Sequence, residues 1–247
     1  MKITVIGFGN LGRAFVSGLL KSGKAKAEDI TVCAKSEETL SLAKNTYGIG
    51  STGDFNYSVN NADIVFLVLK PAVFLEIALK IPDGIPVVSF IAGVKIGDIR
   101  RITKTQTEIV RAMPNLAIEK CEGIIGHTPT ENEYIIDIFK SLGLAYETDE
   151  SGIDKLTAFS ACGLGFAAYI LNAYTEAGIS LGLSPEICGE VTRRTFISAA
   201  EVSNFKHTIT AVATKGGATE QGLRIMEEKR LNEIIGTAVF KAYDKMK

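Results

Sequence analysis

The chain has 247 residues, of which 46% are hydrophobic and 22% are charged, as in ordinary globular proteins. Lysine and arginine total 27 against 28 aspartate and glutamate residues, so the formal charge is −1. No basic field is therefore present to hold nucleic acid, and we expect no nucleic-acid partner. The composition also excludes a disordered chain and a disulfide-stabilised miniprotein.

The four cysteines lie far apart without a CxxC pair, and the chain has only two histidines. This pattern disfavours a zinc site, so we expect no metal. Scattered thiols fit a reducing compartment. The sequence begins directly on a strand-like run, without the charged and apolar regions of a signal peptide. We therefore expect a cytoplasmic protein.

One segment, residues 156–175, has no charged residue and is as long as a membrane-spanning helix. Polar residues such as Thr157, Ser160 and Asn172 dilute its apolar character, and no Lys/Arg-rich flank accompanies it. The segment therefore favours a buried helix at a subunit interface over a membrane span, and we expect no membrane partner.

The first half of the chain alternates short aliphatic runs with helical patterns, which is typical of βαβ units that feed a parallel sheet covered on both faces. The predicted strands are residues 3–6, 30–33, 64–69, 87–91 and 109–111, and two later runs extend the sheet at residues 123–126 and 145–147. The predicted helices among them are residues 11–20, 37–47, 73–80, 96–102 and 131–142.

Near residue 150 the strand signals stop, and the remaining sequence predicts helices at residues 154–181, 185–203 and 231–246. Ser184 and Pro185 suit the N-cap and the first position of the second of these helices. The sequence thus predicts an α/β fold with two domains. Residues 1–150 form an N-terminal Rossmann-like doubly wound sheet that binds a dinucleotide, and residues 151–247 form an all-helical C-terminal domain.

The glycine-rich run Gly7-Phe8-Gly9-Asn10-Leu11-Gly12 follows the first predicted strand and opens the first predicted helix. Its glycines suit a tight turn, close approach of the backbone to a pyrophosphate, and close packing of the helix on the strand. The N-terminus of the helix attracts the phosphate charge. In this context the GxGxxG spacing predicts a dinucleotide site, and a glycine-rich turn without a ligand is the alternative.

The end of the second predicted strand, Cys33-Ala34-Lys35-Ser36, lacks the acidic residue that NAD enzymes place on the ribose 2′-hydroxyl. Lys35 and the Ser36 hydroxyl are instead suited to a 2′-phosphate. The sequence therefore favours NADP as the cofactor, with NADPH preferred and NADH as the alternative. In the other interpretation, Lys35 is an ordinary surface charge and Ser36 is only the N-cap of the next helix.

Two further segments end predicted strands, Val68-Leu69-Lys70-Pro71 and Ile91-Ala92-Gly93. Ligands of open α/β sheets bind at the carboxyl ends of the strands, so we expect both segments to line the cofactor cleft. Pro71 and Gly93 also suit simple strand termination, which is the alternative.

Five motifs occur in a distinctive order and spacing: residues 7–12, 68–71, 92–94, 110–115 (Val-Arg-Ala-Met-Pro-Asn) and 216–219 (Gly-Gly-Ala-Thr). Together they resemble the pyrroline-5-carboxylate reductase family, and the similarity covers the whole chain. The resemblance implies NAD(P)H-dependent reduction of 1-pyrroline-5-carboxylate to L-proline, the last step of proline biosynthesis. It also implies that the helical C-terminal domain builds an intertwined homodimer, which sometimes assembles further.

The resemblance also implies roles for individual residues, matched by position. The glycine-rich run would hold the pyrophosphate, and Lys35 and Ser36 would hold the adenosine end. The ribose and the nicotinamide would contact Lys70, Pro71, Ala92, Gly93 and Asn115. The cyclic imine substrate would be bound by Gly217, Ala218 and Thr219. Backbone amides of this last loop would bind the substrate carboxylate, and Thr219, as the catalytic contact, would hydrogen-bond the ring nitrogen.

Some segments depart from the family pattern. Where the family has a Ser-Gly-Ser-Gly-Pro-Ala-Tyr-like run at the head of its long helix, this chain reads Ser160-Ala161-Cys162-Gly163-Leu164-Gly165-Phe166. Leu116-Ala117 replaces Thr-Pro after Asn115, and Thr214-Lys215 replaces Ser-Pro before the double glycine. Two alternatives therefore stay open: a divergent reductase of another cyclic imine, and a catalytically silent NADP-binding homologue.

The expected reaction needs no strong acid beside the substrate. Hydride passes from C4 of the reduced nicotinamide to the imine carbon, and a cyclic imine is basic enough to be largely protonated in the site. The protein supplies orientation. Judged from the residues alone, however, Thr219 is more simply explained as the N-cap of a helix that starts near Glu220.

Overall fold

The computed structural model describes residues 1–246 of the chain, which folds into two compact units. The first unit consists of Met1–Cys162 together with the C-terminal residues from Tyr243 on. The second unit is Gly163–Ala242.

An eight-stranded sheet of order β3-β2-β1-β4-β5-β6-β7-β8 organises the first unit. Its strands are β1 (Ile3–Ile6), β2 (Ile30–Cys33), β3 (Gly50–Thr52), β4 (Ile64–Leu67), β5 (Val87–Ser89), β6 (Ile109–Pro114), β7 (Gly123–His127) and β8 (Gly143–Glu147). Strands β1 to β6 pair in parallel, in the order typical of Rossmann folds. The predicted doubly wound sheet is confirmed.

Helices cover this sheet, and two separate apolar cores form because successive strand residues point to opposite faces. Val5 belongs to one core and its neighbour Ile6 to the other. The helices are α1 (Asn10–Lys21), α2 (Glu37–Tyr47), α3 (Phe55–Asn60), α4 (Pro71–Leu75), α5 (Ile96–Thr103), α6 (Glu133–Leu142) and α7 (Glu150–Leu156). Short 3-10 helices lie at Ala27–Asp29 and Leu116–Lys120.

Strand β6 is longer than predicted because it has a different partner at each end. Its first residues pair in parallel with β5, whereas Ala112, Met113 and Pro114 pair antiparallel with β7. Strand β7 then pairs in parallel with β8. The predicted extension of the sheet by the two later strands is therefore confirmed.

The predicted helix at residues 73–80 is wrong over most of its length. Helix α4 begins at Pro71 and ends at Leu75. Beyond it, Leu79 and Ile81 are both buried while Lys80 between them is exposed. This alternation is that of extended backbone, and it places both apolar side chains in the same core. Strand β3 and helix α3 were not predicted.

The long helix predicted at residues 154–181 begins earlier, at Glu150, where the Asp149 side chain accepts a hydrogen bond from Gly152 N. A π-helical segment, Thr157–Ala161, follows α7. The remaining helices are α8 (Cys162–Ser180), α9 (Pro185–Ala200), α10 (Phe205–Val212), α11 (Ala218–Glu228) and α12 (Leu231–Asp244). Ser184 caps α9 as predicted, since its side chain accepts a hydrogen bond from Ile187 N.

The helices of the second unit leave large apolar side chains uncovered in the single chain. Among the described residues of α8 to α12, only Cys188 and Thr192 are buried. Leu181, Tyr169 and Phe240 are 84%, 78% and 70% exposed. Large apolar side chains exposed in this number are typical of an interaction surface.

The helix that runs from Glu150 to Ser180 is long and apolar enough to cross a membrane, judged by length and composition alone. Core helices of soluble proteins pass the same test, so one such helix is weak evidence for a membrane span. Only 11% of its most apolar window is buried within the chain. Its apolar face therefore needs a covering surface outside the chain, which is the situation expected at a subunit interface.

Candidate functional site

Two adjoining cavities lie at the carboxyl ends of β1, β2 and β4. The first has a volume of about 320 Å³ and the second about 350 Å³. Both are lined by Gly9, Val68, Leu69 and Lys70, so they form one cleft. Since β1 lies between β2 and β4, this is the point where the strand order reverses, and ligands of open α/β sheets bind at such points.

The glycine-rich turn forms the floor of the cleft, and its glycines differ in what surrounds them. Gly7 has a φ of +103°, and a Cβ there would lie 2.2 Å from the Val68 carbonyl oxygen. A Cβ on Gly12 would lie 2.5 Å from the Gly7 carbonyl oxygen. By contrast, nothing lies within 4 Å of a Cβ built on Gly9. Gly7 and Gly12 are therefore required by the fold, whereas Gly9 is not.

The open space at Gly9 coincides with the start of α1. Gly9 is the N-cap of this helix and provides no side-chain hydrogen bond to it. The first backbone N–H groups of a helix have no partner within the helix, so those of α1 remain available to an anion. Gly9 and Asn10 are both exposed. This arrangement suits a pyrophosphate held on backbone amides.

Lys35 and Ser36 line the first cavity together with Thr39 and Phe55, at the end that is farther from the second cavity. The Ser36 side chain accepts a hydrogen bond from Thr39 N at 3.5 Å, so the N-cap interpretation of Ser36 is correct. The cap uses the oxygen as acceptor and leaves the hydroxyl hydrogen for a ligand. Within residues 1–246, the exposed Lys35 ammonium forms no ion pair. A cation and a hydroxyl are thus both available at this end.

Pro71 and Ala92 line the second cavity together with Phe90 and Met113. Thr39, Phe55 and Met113 were not predicted as lining residues. The sequence does contain a signal for Met113, because this residue belongs to the distinctive motif at residues 110–115 and side chains alternate along its strand. Phe55 lies on α3, which the sequence pattern did not predict at all.

Gly93 and Asn115 are not among the residues that line either cavity. Gly93 has a φ of +68° in the turn after β5. The Asn115 side chain is buried and already bonded: Oδ1 accepts from Ala117 N and Ile124 N at 3.2 Å, and Nδ2 donates to Ser160 Oγ at 3.1 Å. In this structure Asn115 braces the backbone that follows β6, and its contact with a cofactor stays a prediction.

The loop at residues 216–219 leads into α11 in the second unit. Gly217 is the N-cap of this helix, so the interpretation of Thr219 as N-cap is wrong. Gly217 N donates to the Thr214 carbonyl at 2.8 Å, and Gly216 N donates to Glu220 Oε2 at 2.7 Å. The amides of Ala218 and Thr219, in the first turn of α11, remain for an anion. Within the described chain, the exposed Thr219 hydroxyl has no hydrogen-bond partner.

Two of the cysteine thiols have raised pKa values. Burial raises the pKa of the Cys33 thiol, which lines the first cavity, and burial also raises the pKa of the Cys162 thiol. Both thiols are therefore protonated at neutral pH. No group of three or more His, Cys, Asp or Glu residues that could hold a metal ion occurs within residues 1–246.

Two family models match the chain. Residues 150–247 match the model described as pyrroline-5-carboxylate reductase dimerisation, and residues 2–93 match the model described as NADP oxidoreductase, coenzyme F420-dependent. Among solved structures, pyrroline-5-carboxylate reductase from Streptococcus pyogenes superposes with a TM-score of 0.90 at 22% identity, over 100% of this chain and 98% of that one. Pyrroline carboxylate reductase from Plasmodium falciparum, with NADP bound, has a TM-score of 0.86 at 23% identity, over 100% and 97% of the two chains. These two likenesses establish the fold.

Sequence relatives establish the family. Pyrroline-5-carboxylate reductase from Staphylococcus aureus (strain COL) is 27% identical over 99% of this chain and 96% of the relative. The reductase from Aquifex aeolicus (strain VF5) is 30% identical over 93% of this chain and 90% of the relative. The sheet has the Rossmann order, the cleft lies at its switch point, and residues 150–247 match the dimerisation domain. Together with these relatives, the observations show that the chain belongs to the pyrroline-5-carboxylate reductase family.

Proposed function

We propose that the protein reduces 1-pyrroline-5-carboxylate to L-proline, the last step of proline biosynthesis, with NADPH as the preferred hydride donor. The observation that carries this proposal is the cleft formed by the two adjoining cavities, which extends from Lys35 at one end to Met113 at the other. It offers a free helix N-terminus between a cation at one end and an apolar surface at the other, which suits an extended dinucleotide phosphate.

When bound, the reduced nicotinamide supplies the hydride. The N-terminus of α1 binds the pyrophosphate, and the open space at Gly9 allows the phosphate oxygens to approach the backbone. Lys35 and Ser36 hold the 2′-phosphate. Pro71 and Ala92 contact the nicotinamide end.

The substrate contacts in this proposal come from the first turn of α11. The amides of Ala218 and Thr219 bind the carboxylate, and the Thr219 hydroxyl holds the ring nitrogen. Fixing donor and acceptor in the reactive geometry accounts for much of the rate enhancement in reactions of this kind. No side chain needs to act as a strong acid, because the imine is largely protonated when it binds.

Residues 150–247 match the dimerisation domain, which indicates a homo-oligomer. We propose a homodimer, or a larger assembly built from it, in which α8 to α12 cover their exposed apolar side chains on a second copy. A cytoplasmic location, without a membrane or nucleic-acid partner, completes the proposal.

A reductase of another cyclic imine is the second candidate, and one contact favours it. The Glu220 carboxylate accepts a hydrogen bond from Gly216 N at 2.7 Å and thereby brings a negative charge to the loop assigned to the substrate carboxylate. Like charges repel, so this loop suits a substrate with a weaker or more distant negative charge.

The decisive experiment follows the near-ultraviolet absorbance of reduced nicotinamide in purified protein with 1-pyrroline-5-carboxylate and either NADPH or NADH. Substrate-dependent oxidation that is faster with NADPH supports the proposal. Cofactor binding without oxidation contradicts it and directs the search to cyclic imines that lack the carboxylate. Binding without turnover of any such imine identifies a silent homologue.

Lys35→Glu is expected to lower the ratio of kcat/KM for NADPH to that for NADH by about tenfold or more, because a charge-assisted contact is replaced by repulsion. Steady-state kinetics with both cofactors measures this ratio. Lys140→Glu, on the exposed surface of α6, introduces the same charge change away from the cleft and serves as the control. An unchanged ratio for Lys35→Glu removes Lys35 from the 2′-phosphate site.

A further inference from the structure

Arg111 on β6 is a buried cation held by two carboxylates. The residue is 1% exposed. Its Nη1 lies 3.1 Å from Glu150 Oε1, and its Nη2 lies 2.8 Å from Asp154 Oδ1. Glu150 and Asp154 are four residues apart on α7 and so project from the same face of that helix. The triad therefore fastens α7 to the middle of β6.

The same triad also holds the start of α5. Glu150 Oε1 accepts a hydrogen bond from the backbone N–H of Ile96, the first residue of α5, at 2.9 Å. Lys95, the N-cap residue of α5, provides no side-chain cap, so Glu150 takes over that role from a distant part of the chain. The turn that this bond fixes begins at Ala92, which lines the second cavity.

The backbone of Arg111 is fixed as well. Its N–H donates to Thr128 Oγ1 at 3.0 Å, and its carbonyl accepts from Thr128 N at 2.8 Å. Thr128 directly follows β7. Arg111 thus joins β6, the end of β7 and α7 directly, and it reaches α5 through Glu150.

A second link joins the same strand and helix farther along. Asn115 Nδ2 donates to Ser160 Oγ in the π-helical segment at 3.1 Å. Residues 111, 113 and 115 share one face by strand alternation, so Met113 lies between the two links. Met113 lines the second cavity. The wall of the cleft at Met113 is therefore braced on both sides.

We propose that Arg111 is a positioning residue for the nicotinamide end of the cleft. Through Glu150 it holds the turn that carries Ala92, and through Asp154 it holds α7 against β6, so that Ala92 and Met113 keep a fixed separation. The inference rests on the proposed function for its relation to hydride transfer, but its effect on cofactor binding can be measured without the substrate.

Stability alone does not account for this arrangement. Burying a guanidinium and two carboxylates costs desolvation that the ion pairs only partly repay, and well-packed apolar residues often serve stability as well or better. The triad instead fixes the orientation of α7 relative to β6, because the planar guanidinium presents its donors in a rigid fork. A fixed separation between the two walls of the cleft requires such a fixed orientation.

The test uses two variants of the full chain. Glu150→Leu removes the carboxylate that accepts from Ile96 N, on a side chain that is 33% exposed, and leaves the Arg111–Asp154 pair in place. The triple variant Arg111→Met/Glu150→Leu/Asp154→Asn removes all three charges together, so that no buried charge is left unpaired. The control is Asp98→Asn/Arg101→Met, which removes an exposed ion pair on α5.

Affinity is measured for NADPH and for adenosine 2′,5′-bisphosphate, which lacks the nicotinamide. In both variants we expect the NADPH affinity to fall about fivefold or more relative to that of the bisphosphate. We expect the single-turnover rate of hydride transfer to fall about 100-fold in the triple variant. The control should change neither quantity.

A general loss of folded protein would lower both affinities by the same factor, and such a result would overturn the proposal. Unchanged affinities for both ligands in folded variants would do so as well. Because the binding ratio requires no imine, it separates failure of this inference from failure of the proposed reaction.

Discussion

Gly9→Ala is expected to weaken NADPH binding by about 100-fold while changing the free energy of unfolding by less than about 1 kcal/mol. The backbone at Gly9 has φ −75° and ψ −163°, which alanine adopts without strain, and its Cβ would have no neighbour within 4 Å. The added methyl group would instead occupy the space through which the pyrophosphate approaches the amides of α1. Calorimetric titration with NADPH and thermal unfolding measure the two quantities.

Two other glycine variants make this prediction specific. Gly7→Ala places a Cβ 2.2 Å from the Val68 carbonyl oxygen at a φ of +103°, so it should lose stability together with binding. Gly97→Ala adds a methyl group to a similarly open position on α5, so it should leave NADPH binding unchanged without lowering the stability. If Gly9→Ala binds NADPH as tightly as the unaltered protein, the pyrophosphate does not lie on this turn.

Local patterns were enough to predict the elements that form the cleft. Strand β2 and helix α2 have the predicted bounds, because a short aliphatic run and a capped amphipathic helix are set by neighbouring residues. The glycine-rich turn is recognisable from its own spacing, although Gly7 is constrained by the carbonyl oxygen of Val68, a distant residue that the pairing of β1 with β4 brings close. These elements bring the predicted Lys35, Ser36 and Lys70 to one cleft.

Features that depend on distant partners were missed. Leu79 and Ile81 leave the helical pattern because the apolar core, not the local sequence, determines where they pack. The contacts of Arg111 join residues 39 and 43 positions apart, a relation without periodicity along the chain. Helix α10 and strand β3 are short elements whose patterns are too brief to be distinguished from loops.

Thr219→Val is expected to lower kcat with the imine by about 100-fold while leaving the affinity for NADPH unchanged. Thr219 is the second residue of α11, and Gly217 rather than Thr219 caps the helix, so the variant removes no capping bond. Valine has nearly the shape of threonine and a similar helix propensity, so the unfolding free energy should hardly change. The variant therefore removes only the hydroxyl.

Thr219→Ser restores a hydroxyl at this position and should recover most of the turnover, which separates loss of the hydroxyl from a change in shape. Single-turnover kinetics and NADPH titration measure the two effects separately. The substrate carboxylate, held by the backbone amides of Ala218 and Thr219, should bind almost as before, because valine keeps both amides. Full turnover in Thr219→Val would mean that the ring nitrogen is held elsewhere, and the loop at residues 216–219 would then serve only to bind the carboxylate.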